Sequence, residues 1–319
     1  MPEFTHSDDN TPDLRVDFAG LSLQTPLVML SGCVGFGEEY PRIQGFSHRD
    51  IGAVILKGTT LEPRMGNAPH RVYETPSGML NAIGLQNPGA RYVVDQVLPR
   101  LPHDETQFWA NANGTSPEEY AEVARIFDDS PVTAIEINIS CPNVKEGGVH
   151  FGNDPAMAAR VVAAMRAVTN KPLITKLSPN NADIAETARC CIEAGSDAFA
   201  VINTLVGMAV DVERRTPVIA NISGGLSGPA IKPVALWKLH QVRAVTQKHG
   251  IPIVGQGGIA SAQDALEFAI VGADALGVGT GLFYQPLMCG ELLTGLREYL
   301  NNHDMEAYRD LVGTLGGAA

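Results

Sequence analysis

Short runs of apolar and β-branched residues recur along the chain: PLVMLSG (26–32), AVILKG (53–58), FWANANG (108–114), AIEINIS (134–140), PLITKLS (172–178), AFAVINT (198–204), IPIVGQGG (251–258) and ALGVGTG (275–281). Each is nearly continuous in apolar residues until a polar end, the pattern of parallel strands covered on both faces. Helical segments with start signals follow most of them. Ser116-Pro117-Glu118-Glu119 offers an N-cap, a proline at the first helical position and a capping-box glutamate. Asn153 and Asp154 precede Pro155 and a helix to about Val168, Asp183 opens a helix ending on Gly195, and Ser261 opens another. A further helix, from Lys232, ends on Gly250.

Alternating strands and helices of this number predict an α/β fold, a TIM (β/α)8 barrel, with a doubly wound sheet as the alternative. Two stretches, residues 61–107 and 205–231, are too long for simple crossovers and predict two long insertions at the C-terminal face. Residues 14–27, LRVDFAGLSLQTPL, alternate about a glycine and predict a hairpin across the lower end of the barrel. The acidic, polar segment 1–13 is expected to be a disordered tail, and residues 14–319 a single domain.

Composition narrows the function classes. The net charge is −12, which disfavours a nucleic-acid-binding or anionic-membrane surface, so an anionic ligand needs a local site. No apolar run reaches the length of a membrane span, and the N-terminus lacks the apolar core of a secretory signal. The five cysteines are scattered and odd in number, which fits reduced thiols in a cytoplasm. Neither C-x-x-C nor paired-histidine spacing occurs, so no metal site is expected in this chain.

The polar strand ends carry the candidate chemistry, because a TIM barrel places its active site there. Lys57, Asn111, Asn138, Cys141, Lys176, Asn203 and Thr204 lie at the ends of successive runs. Two lysines on buried strands need an anionic ligand or a pocket carboxylate. Gly257-Gly258 and Gly279-Thr280-Gly281 follow the last two runs, where this fold builds its phosphate cradle from backbone N–H groups. The glycines of NVKEGGVHFGN (143–153) give that segment the hinge capacity of a lid.

Taken in order, NAIGLQNPG (81–89), INISCPNVKEGG (137–148), AVINT (200–204), GGLSGPAIKP (224–233) and GQGGI (255–259) resemble the dihydroorotate dehydrogenases. Cysteine in the S-C-P-N segment, and the stretch from Gly207 to Pro233, resemble the catalytic subunits of the class 1B, NAD-linked type. The resemblance implies oxidation of dihydroorotate to orotate in pyrimidine biosynthesis, with Cys141 as catalytic base. It implies an FMN site formed by Ser31, Lys57, Gly58, Asn111, Asn138, Lys176, Ile202, Gly228, Gly257, Gly258, Gly279 and Thr280. It implies a substrate site formed by Lys57, Asn81, Ala82, Ile83, Gly84, Leu85, Asn138, Asn203 and Thr204. It further implies a homodimeric core, and a partner subunit carrying FAD and a [2Fe-2S] cluster to pass electrons to NAD. Cys33 departs from the small or threonine residue usual in such relatives. Three readings compete with this one: a flavin barrel for another dihydropyrimidine, a class 1A-type fumarate-linked enzyme, and a non-catalytic barrel binding a phosphorylated ligand.

Overall fold

The computed structural model describes residues 11–139 and 153–316. The eight runs form a closed, all-parallel barrel. Its strands, in chain order, are Leu27–Met29, Ala53–Ile55, Gln107–Ala112, Ala134–Asn138, Leu173–Leu177, Ala198–Val201, Ile253–Gln256 and Ala275–Val278, the last pairing with the first. The barrel reading of the sequence holds, and the doubly wound alternative does not.

Because side chains alternate across a strand, each run feeds two cores. Val28, Ala53, Ile55, Trp109, Ala134, Ile174, Ala198, Ala200, Val254 and Ala275 fill the barrel interior. Their neighbours, among them Val54, Phe108, Ile135, Leu173, Phe199, Ile253 and Leu276, pack outward against the helices. The hairpin Val16–Phe18/Leu21–Leu23 forms as expected and closes the lower end. Its Phe18 and Leu23 belong to the interior cluster, and Phe18 stacks on Trp109 with ring centroids 5.5 Å apart.

The helices follow the capping signals. Ser116 caps Pro117–Asp128 by accepting from the Glu119 N–H, Asp154 caps Pro155–Arg166, Asp183 caps Ile184–Glu193 and Ser261 caps Ala262–Val271. The Glu119 carboxylate does not close a capping box on Ser116. It reaches one residue further, to the backbone N–H and hydroxyl of Thr115, at 2.7 and 2.6 Å. Lys232–Thr246 extends by a 3-10 turn to Gly250, which is left-handed. The first two crossovers depart from the regular β/α unit. The first holds only the 3-10 turns Tyr40–Arg42 and His48–Asp50, and the second ends in the helical turns between Ala90 and Arg100.

The two insertions meet above the barrel in one antiparallel sheet. Val72–Thr75 and Gly78–Asn81 come from the first, Leu205–Gly207 and Gly224–Ser227 from the second. Asp13, at the inner end of the segment expected to be a tail, is tied into the fold. Its N–H donates to the Glu306 carbonyl and its carbonyl accepts from the Tyr308 N–H, both at 2.8 Å. Residues 1–10 lie outside the described residues, and so do Cys141 and all but the last residue of segment 143–153.

Candidate active site

At the C-terminal ends of the strands the inward-facing position changes from apolar to polar. Trp109 gives way to Asn111, Ala134 to Glu136 and Asn138, Ile174 to Lys176, and Val254 to Gln256, each two residues further along the same face. Above this level lies a cavity of about 500 Å³. Its wall brings together most of the residues expected there: Ser31, Lys57, Gly58, Asn138, Lys176, Ile202, Gly228, Gly257, Gly258, Gly279 and Thr280, with Asn81, Ile83, Gly84, Leu85, Asn203 and Thr204. Two of the expected residues do not reach the wall. Ala82 is buried with its backbone held by Arg71 and Asn67, and Asn111 lies behind the wall.

One end of the cavity is built from glycines. Gly228, Gly257 and Gly258 have φ of +94°, +121° and +100°, a region glycine enters without strain. A Cβ on Gly258 would sit 2.9 Å from Lys232 Cβ and 3.0 Å from the Gly228 carbonyl oxygen. The backbone N–H groups of Gly228, Gly257, Gly258 and Thr280 find no acceptor among the described residues. The Thr280 hydroxyl donates to Ser227 Oγ at 2.7 Å, joining the eighth strand's loop to the insertion sheet. Lys232 Nζ contacts Asp264 at 2.6 Å and Glu267 at 2.9 Å, so the charge beside the glycine turn is already paired. Uncommitted backbone donors around a glycine cradle suit an oxyanion such as phosphate.

The other end carries amides and cations. Asn203 Nδ2 donates to Asn138 Oδ1 at 3.1 Å, and Asn138 Nδ2 donates to Asn113 Oδ1 at 2.8 Å. Asn113 Nδ2 donates to Asn111 Oδ1 at 2.7 Å, and Asn111 Nδ2 donates to Glu136 Oε1. Lys176 Nζ lies 3.5 Å from the same Glu136 oxygen, with both side chains buried. Gly58 permits this arrangement, since a Cβ there would stand 2.9 Å from both Asn111 Oδ1 and Asn113 Nδ2. Burial pushes the Cys33 thiol up to about 11 against the pull of Lys176 and Lys57, so it is a neutral neighbour of both lysines. Ile202 N–H donates to the Gln256 carbonyl and the Gln256 side chain donates to the Ile202 carbonyl, each at 2.9 Å. That exchange fixes the backbone between the two ends.

Glu136, Asn113 and Gln256 were not singled out from the sequence. The signal was present in the alternation: Glu136 stands two residues before Asn138, and Asn113 two after Asn111, so each shares a face with a residue already selected. Glu136 is the pocket carboxylate that a buried Lys176 requires.

The fold and site thus define a barrel with a cavity at its C-terminal face, a glycine cradle suited to an oxyanion at one end and amides and cations opposite. A family model described as dihydroorotate dehydrogenase matches residues 13–300, and the chain belongs to that family. It is 50% identical over 305 residues, 95% of this chain and 99% of the relative, to a protein of Pelobacter propionicus named dihydroorotate dehydrogenase B (NAD(+)), catalytic subunit. Proteins of the same name from Trichlorobacter lovleyi and Listeria innocua are 50% and 48% identical, over 96% and 93% of this chain and 99% and 97% of their own lengths.

Proposed function

We propose that the chain is the catalytic subunit of an NAD-linked dihydroorotate dehydrogenase, oxidising (S)-dihydroorotate to orotate in pyrimidine biosynthesis. The observation that carries this reading is the cavity itself, which sets a glycine cradle for a phosphate opposite a wall of amides and lysines. The cradle suits the phosphate of FMN. Gly228, Gly257, Gly258, Gly279 and Thr280 would hold that phosphate, and Ser31, Lys57, Gly58, Asn138, Lys176 and Ile202 would flank the ring. Asn111 would act from behind, through Asn113 and Asn138.

A bound flavin supplies the acceptor for the hydride that leaves C6 of the substrate. The protein's own groups do the rest. Lys57 faces the substrate carboxylate, and Asn138, Asn203 and Thr204, with the Asn81–Leu85 loop, take the donors and acceptors of the pyrimidine ring. Cys141, which follows Asn138 by three positions, removes the C5 proton as thiolate. A general base of this kind contributes about 10²–10⁴-fold. A partner subunit carrying FAD and a [2Fe-2S] cluster, bound to a homodimeric core of this chain, would supply the route by which electrons reach NAD. The described residues contain no helix long and apolar enough to cross a membrane, and we place the enzyme in the cytoplasm.

The direct test is anaerobic mixing of the purified, flavin-loaded chain with dihydroorotate. Bleaching of the visible flavin absorbance is expected, and its absence would remove the assignment. The isolated chain should pass electrons to artificial acceptors but reduce NAD poorly until the partner is added. Efficient NAD reduction by the chain alone would overturn the two-subunit reading.

A further inference from the structure

The amide wall has a direction, and that direction has a source. From the cavity downward, the Thr204 N–H donates to Asn203 Oδ1 at 2.9 Å, Asn203 to Asn138, Asn138 to Asn113, Asn113 to Asn111, and Asn111 to Glu136. Every amide thus donates through Nδ2 toward Glu136 and accepts through Oδ1 from the cavity side. A backbone N–H can only donate and a carboxylate can only accept, so the two ends impose the same polarity. Turning over any one amide would set two Nδ2 groups, or two Oδ1 atoms, face to face.

Glu136 is fully buried below the cavity, and its Oε2 has no hydrogen-bond partner among the described residues. A buried carboxylate left half-satisfied is unfavourable for the fold alone. Lys176 supplies its counter-charge. The accepting group thus stands at the end of the chain farthest from the cavity, with a cation beside it.

We propose that Glu136 is a positioning residue for the pyrimidine: acting through Asn111 and Asn113, it fixes which edge of Asn138 and Asn203 faces the ligand as donor and which as acceptor. The inference rests on the substrate assigned above, whose imide ring alternates C=O and N–H groups and so distinguishes the two orientations of an amide. A reversed amide would meet a ring carbonyl with an oxygen, leaving both groups unpaired, a mismatch that specific polar sites reject strongly. Asn113 carries the polarity across the gap between the third and fourth strands, and so serves the same purpose.

Two variants of the flavin-loaded chain test this. Glu136→Gln keeps the shape but replaces an acceptor-only group with one that also donates, so the polarity is held from the Thr204 end alone. Asn113→Leu cuts the chain while leaving the Glu136–Lys176 pair in place. Orotate affinity, read from the change it makes in flavin absorbance, should fall about tenfold or more in both. In Asn113→Leu the melting temperature should stay within a few degrees of wild type, and orotate affinity should fall by more than flavin affinity does. KM for dihydroorotate should rise more than kcat falls. Wild-type orotate affinity in both variants would overturn the proposal. So would loss of orotate and flavin in step in Asn113→Leu, since that marks a merely structural role. If Glu136→Gln does not fold, Asn113→Leu decides alone. A wild-type chain that dihydroorotate fails to reduce would instead sink the substrate assignment, and this inference with it.

Discussion

The lower and upper halves of the barrel interior are made by the same strands and obey opposite rules. Below, Phe18, Leu23, Val28, Ile55, Trp109 and Ile174 form an apolar plug in which the side chains serve mainly to fill volume. Above, one step along the same strand faces, Asn111, Glu136, Lys176 and Gln256 are buried polar groups and Asn138 a half-buried one, nearly all held in hydrogen bonds or ion pairs. In the function proposed above, the lower layer serves stability and the upper layer ligand recognition, with a strand's two-residue repeat between them. Damage to the two layers should therefore appear in different measurements.

The largest effect is expected below. Trp109 is fully buried against Phe18, and Trp109→Ala should cost about 3–5 kcal/mol of stability. Calorimetric or denaturant unfolding would show it, while dihydroorotate turnover per folded molecule should change little. Lost turnover with unchanged stability would break the division between the layers. Cys141→Ser should do the reverse. Flavin reduction by dihydroorotate should slow by at least about 10²-fold in stopped-flow, with flavin and orotate still bound and melting unaltered. The wild-type rate should rise with pH as the thiol, ordinarily near 8.5, becomes thiolate. That rise should vanish or move to higher pH in the serine variant.

Gly258→Ala addresses the cradle. Its φ of +100° and the 2.9 Å approach to Lys232 both oppose a side chain, so FMN affinity, measured by fluorescence on titrating apoprotein, should weaken by roughly tenfold. Orotate affinity of the fully loaded variant should be nearly normal. The smallest effect concerns His48, outside the barrel on the first crossover, packed against Phe46 and Phe108. Burial holds its pKa below the usual value, although Glu105 pulls the other way. Between the folded pKa and about 6.5 the unfolded chain binds more protons, so stability should decline as pH falls through that window. His48→Gln should flatten the slope, measured as melting temperature against pH. An identical slope in the variant would remove His48 as its source.

How much of this was legible in the sequence follows from the range of the interactions. The eight strands were readable because each is a local apolar run ending in a polar residue. The long insertions announced themselves by length, and the caps at Ser116, Asp154, Asp183 and Ser261 by local chemistry. The first crossover misled the count of regular units, since its glycines and Pro41 break any helical periodicity. Glu136 escaped notice for a different reason. Its partners Asn111 and Lys176 lie on the strands either side, and only the barrel's register sets Asn111 beside Glu136 and Lys176 beside Asn138. Asn113 was hidden in the same way, because its role depends on Asn138 across the strand gap.

Closure of the barrel between its first and last strands has a consequence for how the protein is made. Val28 pairs with Gly277, so the seam joins residues from opposite ends of the chain. The cavity shares that seam: Ser31 and Lys57 stand on one side of it, Gly279 and Thr280 on the other. At roughly 5–20 residues per second, a ribosome needs on the order of ten seconds to a minute to deliver the second side after the first. Until then the nascent barrel has two open edges and no complete binding site. Cofactor loading therefore cannot guide the early stages of synthesis, and acquisition of the flavin's colour would report the last topological event in the maturation of the chain.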